Sequence, residues 1–330
     1  MSAKFSVVGC LPKGSGVLQV FELEGAAVKK VAERECKDGI KCSTFGAASY
    51  EKRHLATGDY AGNLSVWDLD NLASPTFTVK AHNSIINAID GVGGLNIGSG
   101  APEIVTGSRD GCVKVWDIRQ PEPVSSLEPA PGQTARDCWT VCFGNSFNDS
   151  ERTVLAGYDN GDLKLLCLKT NKLIWETNVG NGVVGAQFDR KDIAMNKLIV
   201  TSLESKFRVY DMRTMHTPDQ SYAYLTEAAH KSTVWLARHL PQNRDVWLTT
   251  GGNGTLNLYK YTYPSQRSIT DPETNCPRGV MGTVQLLNSR KFSDQPIVSL
   301  DWHTDKQGLF VCTALDQTIK VGITTKLASL

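Results

Sequence analysis

One hairpin pattern recurs along the chain and constrains its fold more than any other feature. Its clearest copy is IVTGSRDGCVKVWDI, residues 104–118. In its second half, Val113 and Val115 alternate with polar residues, which is typical of a half-buried strand. The Asp110-Gly111 pair between the halves favours a tight turn, because glycine adopts positive φ without steric cost. The segment therefore predicts two antiparallel strands, the second ending in Trp-Asp.

Six further segments carry the same pattern in whole or in part. The residues that align with Trp116 are Phe21, Trp67, Leu166, Tyr210, Tyr259 and Gly322. Their spacing of roughly 45–50 residues, with one longer step, is typical of WD-repeat blades. The sequence therefore predicts an all-β fold, a seven-bladed WD-repeat β-propeller. Its first and last blades are expected to be incomplete, because no segment supplies an inner strand for the first or an outer strand for the last.

Seven blades of about 45 residues nearly fill the chain, so a single propeller domain over residues 1–330 is expected. We predict about 26 strands, with four in each of blades two to six. A glycine-rich connection is expected at residues 91–102, a weak outer strand of blade five near residues 222–225, and an irregular surface loop at residues 264–279.

Composition excludes several classes of function. The chain has 35 basic and 34 acidic residues, which gives no electrostatic footprint for nucleic acid or an anionic membrane. No apolar run approaches the length of a membrane span, and the N-terminal sequence does not resemble a secretory signal. Nine cysteines without a Cys-x-x-Cys pair indicate free thiols in a reducing compartment. A cytoplasmic protein is expected.

Four polar residues of blade three occupy positions at which WD-repeat blades form a buried hydrogen-bond network: His82, Thr106, Asp110 and Trp116. The indole is expected to donate to the threonine hydroxyl, the hydroxyl to the imidazole, and the imidazole to the carboxylate. A histidine, an aspartate and a hydroxyl also resemble a hydrolase triad. Their place on the repeat favours the structural interpretation. Blade six keeps only His230 and Asn253 of the set.

No cofactor, metal or catalytic site is predicted. Gly180, Gly182 and Gly185 match the spacing of a dinucleotide-binding loop, with Glu204 further on, but an alternating, strand-like run follows where that motif needs a helix. The six histidines show no spacing typical of metal ligands. An enzyme that uses a propeller channel is the alternative, but it needs a cluster of ionisable residues that the repeat does not provide.

Seven residues lie in the turns between second and third strands, or where the chain enters an inner strand. Both places are expected at one face of a propeller. The mixture of aromatic and charged side chains is typical of protein-binding surfaces. A tryptophan at an inner strand belongs either to the packing between blades or to this surface. The candidate partner-binding residues are Tyr60, Arg109, Arg136, Trp139, Asp159, Lys231 and Trp235.

Several segments go beyond generic WD-repeat positions. They include EIVTGSRDG, RDCWTV, AGYDNGD, AHKSTVW, RHLPQNR and the YTYPSQRS run at residues 261–268. Through them the whole chain resembles the WD repeat-containing protein 92 (Monad) family of dynein axonemal assembly factors. It departs from that family at its start, where family members carry an additional segment expected to supply the missing strands.

The resemblance implies a non-catalytic adaptor or co-chaperone scaffold in the cytoplasmic preassembly of axonemal dynein arms. The implied partners are a TPR-containing co-chaperone, a prefoldin-like and ring-ATPase chaperone complex, and dynein chains as clients. The alternative is a generic WD-repeat interaction scaffold, such as a substrate receptor of a ubiquitin ligase. Such a receptor normally needs an appended ligase-binding segment.

Overall fold

The computed structural model describes residues 3–47, 52, 54–93 and 103–327. These residues form 28 β-strands and no α-helix. Two of the strands, β23 (Ser268–Thr270) and β24 (Pro277–Gly279), form a separate hairpin, and the others form seven antiparallel sheets, one for each predicted blade. The structure thus confirms the prediction of an all-β, seven-bladed propeller fold. Most of the predicted connection at residues 91–102 lies outside the described residues.

The first of two compact units comprises Met1–Tyr158 and Leu165–Lys172. It contains blades one to three, the first two strands of blade four and the second half of the third strand of that blade. Its complete strands are β1 (Ala3–Cys10), β2 (Gly16–Glu24), β3 (Ala27–Cys36), β4 (Ile40–Thr44), β5 (His54–Asp59), β6 (Asn63–Asp68), β7 (Phe77–Lys80), β8 (Ile86–Gly91), β9 (Glu103–Ser108), β10 (Val113–Asp117), β11 (Ser125–Leu127), β12 (Cys138–Gly144) and β13 (Thr153–Tyr158).

The second unit comprises Asp159–Lys164 and Leu173–Leu330. Blade four is completed by β14 (Asp162–Cys167) and β15 (Lys172–Asn178). Blades five to seven follow as β16 (Val183–Phe188), β17 (Lys197–Ser202), β18 (Lys206–His216), β19 (Ser221–Ala228), β20 (Val234–Leu240), β21 (Asn243–Gly251), β22 (Thr255–Thr262), β25 (Thr283–Lys291), β26 (Ile297–Trp302), β27 (Leu309–Ala314) and β28 (Ile319–Ile323).

Blades two to six have four strands each, whereas blades one and seven have three among the residues described. The core of each unit consists of apolar clusters that fill the space between successive blades. Blades two and three share one around Leu64, Ile86 and Trp116. In the second unit, Phe207 of blade five packs against Trp247 and Tyr259 of blade six. A blade therefore depends on its neighbours to bury its faces.

The predicted loop at residues 264–279 contains regular structure, which corrects the expectation of an irregular segment. β23 (Ser268–Thr270) pairs with β24 (Pro277–Gly279). The outer strand of blade five was also wrongly predicted as weak, because β19 is eight residues long. The chain around residues 211–216 bulges and then pairs again with β19, so the β18–β19 hairpin is extended. Sequence alternation alone does not show such a bulge.

The inner strands of blades two to seven share a register shift near their first residue. Each shift leaves one residue unpaired in the ladder, which is the geometry of a β-bulge. The bulged residues are Lys41, Asn87, Trp139, Val184, Trp235 and Val298. Two of the candidate partner-binding residues, Trp139 and Trp235, therefore occupy equivalent positions in different blades.

Candidate functional site

The structure brings the four network residues of blade three together. Trp116 is buried, and its Nε1 donates to Thr106 Oγ1 at 2.9 Å. The same hydroxyl lies 2.7 Å from His82 Nε2, and His82 Nδ1 lies 3.2 Å from Asp110 Oδ1. The geometry permits one consistent set of donors: indole to hydroxyl, hydroxyl to Nε2, and Nδ1 to the carboxylate. The network joins the link before blade three, its second strand, its turn and its third strand.

Asp110 also organises the turn. Its carboxylate accepts the backbone N–H of Cys112 at 3.0 Å and that of Asn83 at 2.9 Å. Burial alone raises the pKa of this carboxyl, but the hydrogen bonds from His82 and the two amides outweigh it and hold the pKa well below its usual range. The side chain is therefore an anion at neutral pH.

The same geometry argues against a nucleophilic role for this trio. The Thr106 hydroxyl is fully buried and accepts the indole N–H, so a substrate carbonyl has no room beside it. A nucleophile must be reachable by the atom it attacks. The arrangement instead satisfies every buried polar group of the set, as a stabilising network requires.

Blade six contains a second network, of which only His230 and Asn253 were predictable from the repeat. His230 Nε2 lies 2.8 Å from Thr249 Oγ1, and His230 Nδ1 lies 2.7 Å from Thr255 Oγ1. Thr255 donates to Asn253 Oδ1 at 2.6 Å. Burial lowers the pKa of His230 to about 4, so the ring is neutral at physiological pH. Thr249 stands at the position of Thr106 in the repeat, and that equivalence is the signal that would have identified it.

Arg109 and Arg136 belong to the turn of blade three and to the link into blade four, two segments that meet in the first unit. Arg109 lies in the turn between the second and third strands of blade three, and its backbone N–H donates to Ile85 O at 3.0 Å. Its Nε donates to Asp137 Oδ2 at 3.2 Å, and Asp137 follows Arg136 in the link into blade four. Both arginines are exposed. This part of the candidate face therefore presents two guanidinium groups, one of them paired with a carboxylate.

Tyr60 occupies the equivalent turn of blade two. Its backbone N–H donates to Gly39 O at 2.9 Å, and its ring is 44% exposed. Gly39 is pinned between that ring and Cys10, since a Cβ on Gly39 would lie 2.9 Å from Tyr60 Cδ2 and from Cys10 Sγ. Trp139 is half-buried at its bulge. The Tyr60 ring is thus exposed at a turn, whereas the Trp139 ring is half-buried in an inner strand.

The remaining candidates belong to the second unit. Lys231 is exposed, and Asp159 is half-buried. Trp235 is also half-buried and packs against the cluster shared by blades six and seven. Its indole N–H has no hydrogen-bond partner among the residues described. Trp235 therefore combines packing with partial exposure.

The glycine motif, the histidines and the cysteines form no recognisable ligand-binding site in the described part of the chain. The glycine motif at residues 180–185 leads into strand β16, whereas a dinucleotide motif leads into a helix. No group of three metal-ligating side chains occurs within the described ranges. All nine cysteines are free thiols. Across the described residues, no helix has the length and hydropathy needed to cross a bilayer.

Comparison with known proteins gives a consistent result. The model of the WD domain, G-beta repeat, matches residues 73–117. Dynein axonemal assembly factor 10 of Xenopus tropicalis is 58% identical over 330 residues, covering 100% of this chain and 92% of the relative. The human protein of that name is 57% identical over 327 residues, covering 99% and 91%. The Chlamydomonas reinhardtii protein is 54% identical over 328 residues, with the same coverage.

Proposed function

Since the chain belongs to the dynein axonemal assembly factor 10 family, we propose that it is a non-catalytic adaptor in the assembly of axonemal dynein. The observation that carries the proposal is identity above one half along essentially the full chain with relatives from a vertebrate and from a green alga. The fold supports it, because propellers present many loops on a rigid scaffold, where partner contacts commonly lie.

The proposed setting is the cytoplasm, with protein partners and no cofactor, nucleic acid or membrane. The partners are a TPR-containing co-chaperone, a prefoldin-like and ring-ATPase chaperone complex, and dynein chains as clients. The near-balance of 35 basic and 34 acidic residues suits protein partners better than a polyanion. In this proposal, the propeller and its chaperone partners together bind a dynein chain during assembly.

Each unit contributes candidate docking residues in its turns and inner-strand entries, and those of the first unit are the ones to test. Tyr60 and Arg109 are both exposed members of the first unit, and the backbone N–H of each is hydrogen-bonded. Both belong to residue types that dominate protein interfaces. Neither belongs to a buried cluster, so their replacement leaves the blades folded.

A double variant, Arg109→Glu with Tyr60→Ala, tests this proposal. We expect it to weaken capture of the co-chaperone by about 1–3 kcal/mol, the usual effect of removing an interface hot spot. The measurement is co-precipitation from ciliated cells, with quantification of the co-chaperone and of dynein chains. Circular dichroism must show an unchanged fold. Wild-type capture by the folded variant excludes this surface, and absence of dynein chains and chaperone subunits from wild-type precipitates excludes the adaptor role.

A further inference from the structure

The backbone segments that carry Arg109 and Arg136 pack closely against each other. Gly111 closes the turn with a φ of +82°. A Cβ at that position would lie 2.9 Å from Pro129 Cγ and 3.2 Å from both Ala135 Cβ and the carbonyl oxygen of Arg136. The link into blade four therefore packs directly on the turn that carries Arg109, and this contact fixes the two arginine backbones beside each other.

The hydrogen-bond donors of the two guanidinium groups are largely unused. A guanidinium carries five N–H donors. Arg109 directs its Nε to Asp137, and its side chain remains 57% exposed. Arg136 is exposed and makes no hydrogen bond or ion pair within the part of the chain that the structure describes. The terminal nitrogens of both side chains thus remain available to another molecule.

The nearest carboxylates are already engaged. Asp110 accepts hydrogen bonds from His82 and from the backbone N–H groups of Asn83 and Cys112. Asp137 accepts from Arg109. Glu128 is the one exposed carboxylate in the segment between β11 and β12 that has no partner among the described residues. The free polar groups at this surface are therefore mainly donors, and they complement a ligand that supplies acceptors.

We propose that Arg109 and Arg136 form a paired binding site for the carboxylates of an acidic segment in a protein partner. The inference rests on the proposed adaptor function and names the chemistry of what the adaptor recognises. Planar guanidinium groups bind carboxylates through two parallel N–H···O bonds, which a lysine cannot match. The net charge of the chain is only +1, so the chain as a whole attracts an anion weakly, and direct contacts with these two side chains must supply the binding.

The probe for the test is a synthetic ten-residue peptide of alternating glutamate and serine. The same peptide with glutamine in place of glutamate is its control. Binding is followed by NMR at low ionic strength through the arginine Nε–Hε signals of the full chain. We expect the glutamate peptide to shift the signals of Arg109 and Arg136 and to bind about tenfold more tightly than the glutamine peptide.

Two double variants remove the same charge from the same unit. Arg109→Gln with Arg136→Gln should reduce the affinity for the glutamate peptide about tenfold. Lys29→Gln with Arg34→Gln, in the exposed outer strand β3, should leave it within about twofold of wild type. Glu128→Gln should strengthen binding, because it removes the competing carboxylate.

Equal weakening by the two double variants overturns the proposal, because it shows attraction to net charge and not to this pair. Failure of the wild type to distinguish the two peptides also overturns it. The measurement contains no assembly partner, so these results leave the adaptor function untouched. Loss of the adaptor function is instead recognised in the co-precipitation experiment, whatever the peptide does.

Discussion

Thr106 is the residue at which two buried partners meet. Its hydroxyl accepts from the indole of Trp116 and lies within hydrogen-bond distance of His82. Thr57 of blade two accepts from Trp67 at 3.0 Å, but no histidine of the described residues hydrogen-bonds to it. The two threonines can be compared directly, because each hydroxyl accepts the indole N–H of its own blade. Only the Thr106 hydroxyl also contacts a histidine.

We therefore predict that Thr106→Val destabilises the protein more than Thr57→Val. Valine keeps the shape of the side chain but leaves the indole N–H of Trp116 and the Nε2 of His82 without a partner, whereas Thr57→Val removes a partner only from Trp67. Each orphaned buried group costs about 1–3 kcal/mol. Urea unfolding of the two variants measures the difference directly. Equal loss of stability in both variants means that His82 contributes nothing through Thr106.

The network of blade six makes stability depend on pH. The imidazole has an ordinary pKa of about 6.5 in the unfolded chain, and burial lowers that of His230 to about 4 in the folded protein. Between these values the unfolded state binds more protons, so the free energy of unfolding falls as the pH falls from about 6.5 towards 4. His239, whose pKa burial lowers to about 3, acts in the same direction.

His230→Gln should therefore reduce the slope of stability against pH in this window without abolishing it, because His239 remains. Urea unfolding between about pH 7.5 and 4.5 gives both slopes. The histidine C2–H signal of wild-type His230 should stay at its neutral position down to about pH 5, given its pKa of about 4. A midpoint near pH 6.5 for that signal contradicts the burial of the ring in this network.

Some residues of the two networks could be predicted from the sequence, and others could not. His82, Thr106, Asp110 and Trp116 were predictable, because all four types stand at fixed positions of the repeat. Thr255 was not, because a hydroxyl that relays to an asparagine in place of a carboxylate is recognised only once the side chains meet. The exposed residues of the candidate face follow from the repeat as positions, but their chemistry with a partner does not.

At the scale of elements, hydrophobic periodicity identified the blade strands, because each strand buries alternate residues against the next blade. It missed the hairpin β23–β24, whose residues are almost all exposed. That hairpin packs on the extended β18–β19 hairpin, where buried His216 lies 3.1 Å from Thr274 Oγ1. Gly282, at its other end, donates its N–H to Tyr261 Oη at 2.6 Å. Polar contacts therefore hold the β23–β24 hairpin in place, and such contacts leave no periodic apolar pattern in the sequence.

His216→Ala should therefore loosen the β23–β24 hairpin and leave the blades folded. Loss of the imidazole removes two contacts: the one with Thr274 and the one with Asp271, whose Oδ2 lies 3.7 Å from His216 Nε2. Limited trypsin digestion should then cleave faster after Arg278, which is exposed within β24. Gln285→Ala, in exposed strand β25, is the control and should be cleaved at the wild-type rate. An unchanged rate in His216→Ala contradicts the role given to this histidine.

At the scale of the whole molecule, the apolar clusters bear on the prediction of a single domain over residues 1–330. Among the described residues, apolar clusters that combine side chains of successive blades occur in both units. A sheet that loses its neighbour exposes one apolar face, so a single blade is not expected to stay folded alone. The number of blades that unfold together is then the measurable form of the single-domain prediction.

We predict one cooperative transition for the entire chain. Leu64→Ala removes a fully buried side chain from blade two and should cost about 2–5 kcal/mol. If the chain is one domain, hydrogen exchange through global unfolding must accelerate by the same free energy in β6, which carries Leu64, and in β22 of blade six. Calorimetric and van't Hoff enthalpies should agree as well. Acceleration confined to β6, with protection of β22 unchanged, shows that the two units unfold independently and that the single-domain prediction is wrong.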